Sequence, residues 1–180
     1  IGGVDFSTAI VTGLSAGGLV AGPSLNGAMK SADFLTAVGA VATGANSIAI
    51  GNNTSATAAN GIAIGSSNTV STSDSIAIGN SCVAQNGPAI AIGRNTSANG
   101  SVATAIGNSA SVQASQSIGI SGENCTVGAA ATRSVVIGRQ ASVTGGSNSL
   151  AIGNFAKVSA AAGASMSFTS CNINVNNQAA

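Results

Sequence analysis

A five-residue phrase returns along this chain at a fixed interval. It reads Ser47-Ile-Ala-Ile-Gly51, Gly61-Ile-Ala-Ile-Gly65, Ser75-Ile-Ala-Ile-Gly79, Ala89-Ile-Ala-Ile-Gly93 and Ala103-Thr-Ala-Ile-Gly107, with closing glycines 14 residues apart. The next step lands on Ser117-Ile-Gly-Ile-Ser121, where the last glycine is replaced. The frame then loosens to Ser134-Val-Val-Ile-Gly138, Ser149-Leu-Ala-Ile-Gly153 and Ser165-Met-Ser-Phe-Thr169. Upstream, Leu35-Thr-Ala-Val-Gly39 is a degenerate first copy. A short fixed period makes each copy one supersecondary unit that stacks on the next. Alternating β-branched residues make those units strands, so the expected fold class is an all-β solenoid.

The coil can be worked out from the phrase. Alternation puts its two Ile side chains on one side of a strand, and Ser, Ala and Gly on the other. Bulk favours the Ile side as the interior, which gives an inward column of Ile50, Ile64, Ile78, Ile92 and Ile106. The closing glycines Gly51, Gly65, Gly79, Gly93, Gly107, Gly138 and Gly153 mark a corner where φ is positive and a Cβ would clash. A second, small-faced strand follows, with Thr54 and Ala56, Cys82 and Ala84, Ala110 and Val112, Ala141 and Val143, and Ala156 and Val158 turned inward. A three-sided coil with six-residue rungs would need about 18 residues per turn, so two strands and two corners fit the period better. Extra residues near Gly128 to Arg133 lengthen one coil to 17, and these should bulge at one corner.

On this reading Ala49, Ala63, Ala77, Ala91 and Ala105 face outward as a flat apolar strip, the expected contact face for another copy. So thin a core does little to offset the backbone entropy of a glycine-rich coil. The sequence asks for an oligomer.

Two segments follow from where the phrase begins. Residues 1–34 are read as an N-terminal strand and cap, and residues 35–180 as the repeat domain, with regular coils over 47–121 and looser ones over 122–180. The stretch from Val4 to Leu14 alternates and predicts a strand ending in a glycine turn. Phe6 and Phe34, two of only 4 phenylalanines, suit closure of an open stack end. The start lacks Met and a basic leader, so the chain reads as a fragment or a processed product.

Composition removes several function classes. The chain is 5% charged, carries a net charge of +1 and has no His, Trp or Tyr. Nothing there forms an electrostatic footprint for nucleic acid, and no apolar run is long enough to span a bilayer. Without His there is no Ser-His or Cys-His nucleophile pair, and Asp5, Asp33, Asp74 and Glu123 are scattered. Neither a phosphate-cradling glycine motif nor a Gly-Gly-x-Gly-x-Asp calcium repeat occurs. The chain is therefore read as a non-enzyme with no cofactor and no metal. Asp74 reads as a turn former. Cys82 and Cys125 fall in neighbouring columns roughly three coils, about 14 Å, apart, too far for a disulfide. With Cys171 they read as buried thiols acting as small hydrophobes.

The column after the glycines holds Asn52, Ser66, Asn80, Arg94, Asn108, Arg139 and Asn154. It reads as corner side chains bonded to backbone and stacked along the fibre, with Arg94, Arg139 and Lys157 offering sparse positive charge to a receptor or glycan. Sequons at Asn52, Asn53, Asn95, Asn99 and Asn124 are those expected of an Asn/Ser/Thr-rich chain. A regular-surface role such as ice binding is the alternative. The outward residues Ser55, Thr69, Val83, Ser97 and Ser111 are too mixed for a lattice-matching face.

Ser-x-Ala-Ile-Gly at this spacing, with a small or Val column later in each unit, resembles the head repeat of trimeric autotransporter adhesins, the YadA-like head. The resemblance covers about residues 35–170. It implies a left-handed parallel β-roll, three chains packed side by side around a threefold axis, and adhesion to a host-cell surface or to a matrix protein or glycan. The same repeat occurs in phage and viral fibre proteins, whose module-opening strands the stretch from Val4 to Leu14 also resembles. No stalk heptads are present, and exported adhesins of this class tend to avoid Cys. The expected setting is thus extracellular, on a virion fibre or a bacterial surface, with the thiols leaning towards the virion.

Overall fold

The computed structural model describes residues 39–159 and 164–169. The N-terminal strand and cap expected over 1–34, Phe6, Phe34 and Cys171 lie outside the described residues. Among the described residues eighteen strands, numbered in chain order, alternate between long and short. The long ones are β2 (Ile48–Asn52), β4 (Ile62–Ser66), β6 (Ile76–Asn80), β8 (Ile90–Arg94), β10 (Thr104–Asn108), β12 (Ile118–Ser121), β14 (Val135–Ile137), β16 (Leu150–Ile152) and β18 (Met166–Phe168). The short ones are β1 (Val41–Ala42), β3 (Ser55–Ala56), β5 (Thr69–Val70), β7 (Val83–Ala84), β9 (Ser97–Ala98), β11 (Ser111–Val112), β13 (Thr126–Val127), β15 (Ser142–Val143) and β17 (Lys157–Val158). Each set forms its own nine-stranded parallel sheet, in which every strand pairs with the corresponding strand one coil along. The described residues contain no helix. This is the two-strand, two-corner solenoid that the period implies, and the last degenerate phrase forms a strand like the others.

The register is a stack of like on like. Ala63 pairs with Ala77, Ile64 with Ile78 and Gly65 with Gly79, and so on along the sheet. The closing glycines have φ between +115° and +137°, as their place at a corner required. At Gly79 an added Cβ would lie 1.8 Å from the carbonyl oxygen of Gly93, because neighbouring coils meet there backbone to backbone. Two residues further on, Asn53, Ser67, Ser81, Asn95 and Ser109 are left-handed. Their N–H groups reach back to the preceding coil, as Ser81 N does to Ser66 O at 2.9 Å. The opposite corner repeats the device with Asn60, Asp74 and Gln116, all at φ near +55°. Asp74 is a turn former, and Asn60 Nδ2 donates to its Oδ1 at 2.8 Å. Coils are thus bonded to their neighbours at the corners as well as along the strands.

Which side of the long strand faces in is the opposite of what bulk suggested. Ala49, Ala63, Ala77, Ala91 and Ala105 are 0% exposed and form the core with Val70, Ala84, Val112, Val127 and Val143 of the short strands. The Ile side chains point outward. Ala49 through Ala105 are therefore not an outer contact strip, and Ile50 through Ile106 are not the interior column. The reason is space: an added Cβ at Gly119 would already meet Val112 Cγ2 at 2.7 Å and Cys125 Sγ at 3.1 Å. A gap that closes on a single methyl at Gly119, and takes nothing larger than Val136 elsewhere in the column, has no room for Ile.

Polar seams run along the inner edges of this core. Asn68 Nδ2 donates to Gly79 O at 2.9 Å, Cys82 Sγ to Gly93 O at 3.1 Å and Thr96 Oγ1 to Gly107 O at 2.9 Å. At the other edge the phrase-opening serines hand bonds from coil to coil. Ser134 N donates to Ser117 Oγ at 3.1 Å and Ser149 N to Ser134 Oγ at 3.0 Å. These serines are buried, so Ser shares the inward side with Ala.

The looser coils confirm that extra residues gather at corners, but they use both. Between β12 and β14 the coil spans 17 residues, since Ile118 pairs with Val135. Two of its three extra residues lie between β13 and β14, as expected, and the third lies between β12 and β13. That third residue falls where Ser121 replaces the glycine. An L-residue does not take the φ of the other corners, so the turn is rebuilt around Ser121 Oγ, which accepts from Glu123 N at 2.9 Å.

Two substitution pairs test this geometry. Gly79→Ala should lower the melting temperature by at least several degrees, since backbone strain of about 1–3 kcal/mol is joined by the clash with Gly93. Gly122→Ala, with nothing within 4 Å of its added Cβ, should leave the temperature unchanged. Ala77→Leu overpacks the interior at a cost of about 1–3 kcal/mol or more, whereas Ile78→Leu on the outer face should be near neutral. Thermal melting by circular dichroism reads all four, and Ala77→Leu melting with the parent would contradict the inward alanine column.

Candidate functional site

The outer face of the long-strand sheet carries two straight rows. One runs Ile48, Ile62, Ile76, Ile90, Thr104, Ile118, Val135, Leu150 and Met166, each in register with the next. The other runs Ile50, Ile64, Ile78, Ile92, Ile106, Ile120, Ile137, Ile152 and Phe168. Of these positions only Thr104 carries a polar atom. Ile48 is 39% exposed, Ile118 38% and Met166 69%, while the intervening isoleucines are half-covered by their own neighbours in the stack. The result is an apolar strip, broken only at Thr104, that no described residue covers.

Bulk places both of these rows in the interior, so neither is expected from the sequence as a surface. A signal was present. The inward column never exceeds Val, holding Ala, Gly119 and Val136, as a gap of fixed width demands. The Ile rows admit Thr104, Leu150, Met166 and Phe168, a range of size and polarity that a closed interior would not take.

The short-strand sheet presents a different outer face: Ser55, Thr69, Val83, Ser97, Ser111, Thr126, Ser142 and Lys157 in one register. It is hydroxyl-rich and mixed. The column after the glycines lies at the corner between the two faces and is mostly exposed. Its bonds run between side chains rather than to backbone. Arg94 Nε donates to Asn108 Oδ1 at 3.2 Å, and Arg139 pairs with Glu123 at 3.2 Å while its guanidinium lies 4.9 Å from the Phe155 ring centre. The asparagine stacking expected here occurs at the other corner instead, where Asn46 Nδ2 donates to Asn60 Oδ1 at 3.4 Å. Lys157 sits on the short-strand face, so the three basic groups do not converge.

Cys82 and Cys125 are free and buried, three coils apart in one column rather than in neighbouring ones. Burial pushes the Cys125 thiol up to about 11. Among the described residues no cluster of His, Cys, Asp or Glu could hold a metal ion, and no helix is long and apolar enough to cross a membrane.

The family model of the YadA head domain repeat (2 copies) matches the chain at residues 38–54, 42–68, 56–81, 88–110, 129–156 and 145–162. No curated protein matches the chain.

The thiols give a test that is independent of assembly. Burial raises the Cys125 thiol to about 11, and both side chains are closed off from solvent. At mildly alkaline pH iodoacetamide should therefore leave Cys125 unmodified by charge and access, and Cys82 by access alone, in the folded chain. Both should react once denaturant opens the coils, as read by peptide mass mapping. Prompt labelling of folded Cys125 would contradict its place in the core.

Proposed function

Because the chain belongs to the YadA head domain repeat family, we propose that it is the structural and adhesive head module of a trimeric surface fibre, in which three copies close around their isoleucine faces. The observation that carries this reading is the pairing of an alanine core with an isoleucine strip that no described residue covers. Nine strands at about 4.8 Å make the strip roughly 38 Å long. With its side chains it exceeds the few hundred Å² that ordinary monomers expose, which marks it as a surface for association. Association of like strips also supplies the apolar burial that alanines inside each coil do not. The number three and the left-handed winding come from the family. A closed ring also accounts for all the apolar strips at once, without open-ended growth.

The trimer leaves the hydroxyl-rich short-strand faces and the corners to meet a partner. We assign these to a host-cell surface, a matrix protein or a glycan, contacted through dispersed hydrogen bonds rather than a charged pocket. The setting is extracellular, on a virion fibre or a bacterial surface. The thiols no longer lean towards either, because Cys82 and Cys125 are accounted for as core side chains. Catalysis has no part in the reading: the chain has no His to serve as a base beside Ser or Cys.

The test is the mass of the chain in solution beside its binding to surfaces. Light scattering should give three times 16.8 kDa for the parent. Ile64→Asp with Ile78→Asp should abolish that assembly, because three carboxylates would be buried together at each of the two heights, with no basic residue in either row to neutralise them. A parent that is a stable monomer at micromolar concentration sinks the trimer. A trimer that binds neither cells, matrix proteins nor glycan arrays sinks the adhesive role.

A further inference from the structure

A strip built from repeats has a difficulty that a unique surface lacks. Slide one chain past its neighbour by one coil, and nearly every apolar side chain still meets another, most of them Ile on Ile, with only the end coil of the nine described left unmatched. The outer rows are almost translationally degenerate, so something must specify which coils lie level with which. Along the first row the one polar position is Thr104, in the fifth of the nine long strands, between Ile90 and Ile118. Its side chain is partly exposed on the apolar strip, as those of its neighbours are.

We propose that Thr104 sets the register of the trimer, a reading that rests on the isoleucine faces being the contact between copies. With three chains level, the three Thr104 hydroxyls share one height, and each can donate to the next around the ring, because a hydroxyl both donates and accepts. With any chain slipped, its hydroxyl is pressed against the isoleucines of its neighbours and the ring of bonds is broken. The cost of an unpartnered hydroxyl falls on every slipped arrangement and spares the level one. A single polar residue in an apolar seam plays the same part in coiled coils, where it selects register at some cost in stability. The placement is effective for another reason: at the middle of the stack, Thr104 stays within the overlap for any slip of a few coils.

The experiment reads register by disulfide formation. One chain carries Ile78→Cys and a second carries Ile106→Cys; the two are refolded together, oxidised and mapped by mass. These positions lie two coils, about 9.6 Å, apart along the stack, beyond the Cα separation of about 7 Å that a disulfide spans. Level chains therefore should not join the two introduced thiols, whereas chains slipped by one or two coils should. In the Thr104 background this cross-link should be scarce. In a Thr104→Val background, which keeps the shape and removes the hydroxyl, it should rise about tenfold or more. Thr104→Ser should keep it scarce. As a control, chains carrying Ile106→Cys alone should link to one another in every background. If that control fails and the protein is monomeric, the shared reading of the isoleucine face is wrong. If the control succeeds but the link between the two different positions is equally scarce, or equally abundant, with Thr and with Val, register is set elsewhere and this inference is overturned.

Discussion

The narrow gap between the two sheets governs the rest of the structure. A coil of 14 residues with two corners leaves a short strand of two residues facing a long one, and the space between them admits Ala, Gly or Val but no Ile. That limit turns the phrase inside out, with Ser and Ala inward and both Ile outward. It forces the polar seams too. With the corners drawn so close, carbonyls such as those of Gly79, Gly93 and Gly107 must be met from inside, by Asn68, Cys82 and Thr96. Buried carbonyls left unmet would cost more than apolar side chains there could return. The closing glycines follow from the same closeness, since at those corners successive coils touch through backbone alone.

Such a coil cannot be judged as a self-contained core. Its stability inside the protomer comes from ladders of hydrogen bonds along two nine-stranded sheets and at both corners. Its apolar bulk is displayed on the outside. In a globular domain that arrangement would be a liability; in a repeat it makes a long and regular surface, which the proposed function assigns to copies of the same chain. On the proposed reading, folding and assembly are parts of one process, in which the strip that the coil cannot enclose is enclosed between chains.

Much of this could be read from the residues. The spacing of Gly51, Gly65, Gly79, Gly93 and Gly107 gave the coil length, the strand pairs and the positive φ at the corner, because a period constrains geometry however the side chains are disposed. Asp74 was legible as a turn former for the same local reason. The inside and outside of the phrase were not. Alternation separates Ala77 from Ile78 but does not say which lies within, and the rule that bulk goes inside assumes an interior wide enough to take it, whereas here the larger apolar face lies on the outside of the coil. The corner row was half legible: Arg94 does bond to Asn108 one coil along, but Arg139 turns to Glu123 outside the row, and Ser67, Ser81 and their counterparts already tie the backbone there. The rebuilt turn at Ser121 was out of reach, because the loss of one glycine did not reveal that an added residue would replace it.

The central claim is that alanine fills each coil while isoleucine joins coil stacks to one another. Its most direct test is a measurement of methyl contacts between chains. In a mixture of two chain populations carrying different isotope labels, nuclear Overhauser effects that cross from one population to the other report only contacts between protomers. Such effects are predicted among the isoleucine methyls of the outer rows, Ile64, Ile78 and Ile92 included, and none from the methyls of Ala63, Ala77 and Ala91. Contacts between chains through those alanines, or an assembled protein whose isoleucine methyls touch no other chain, would contradict it.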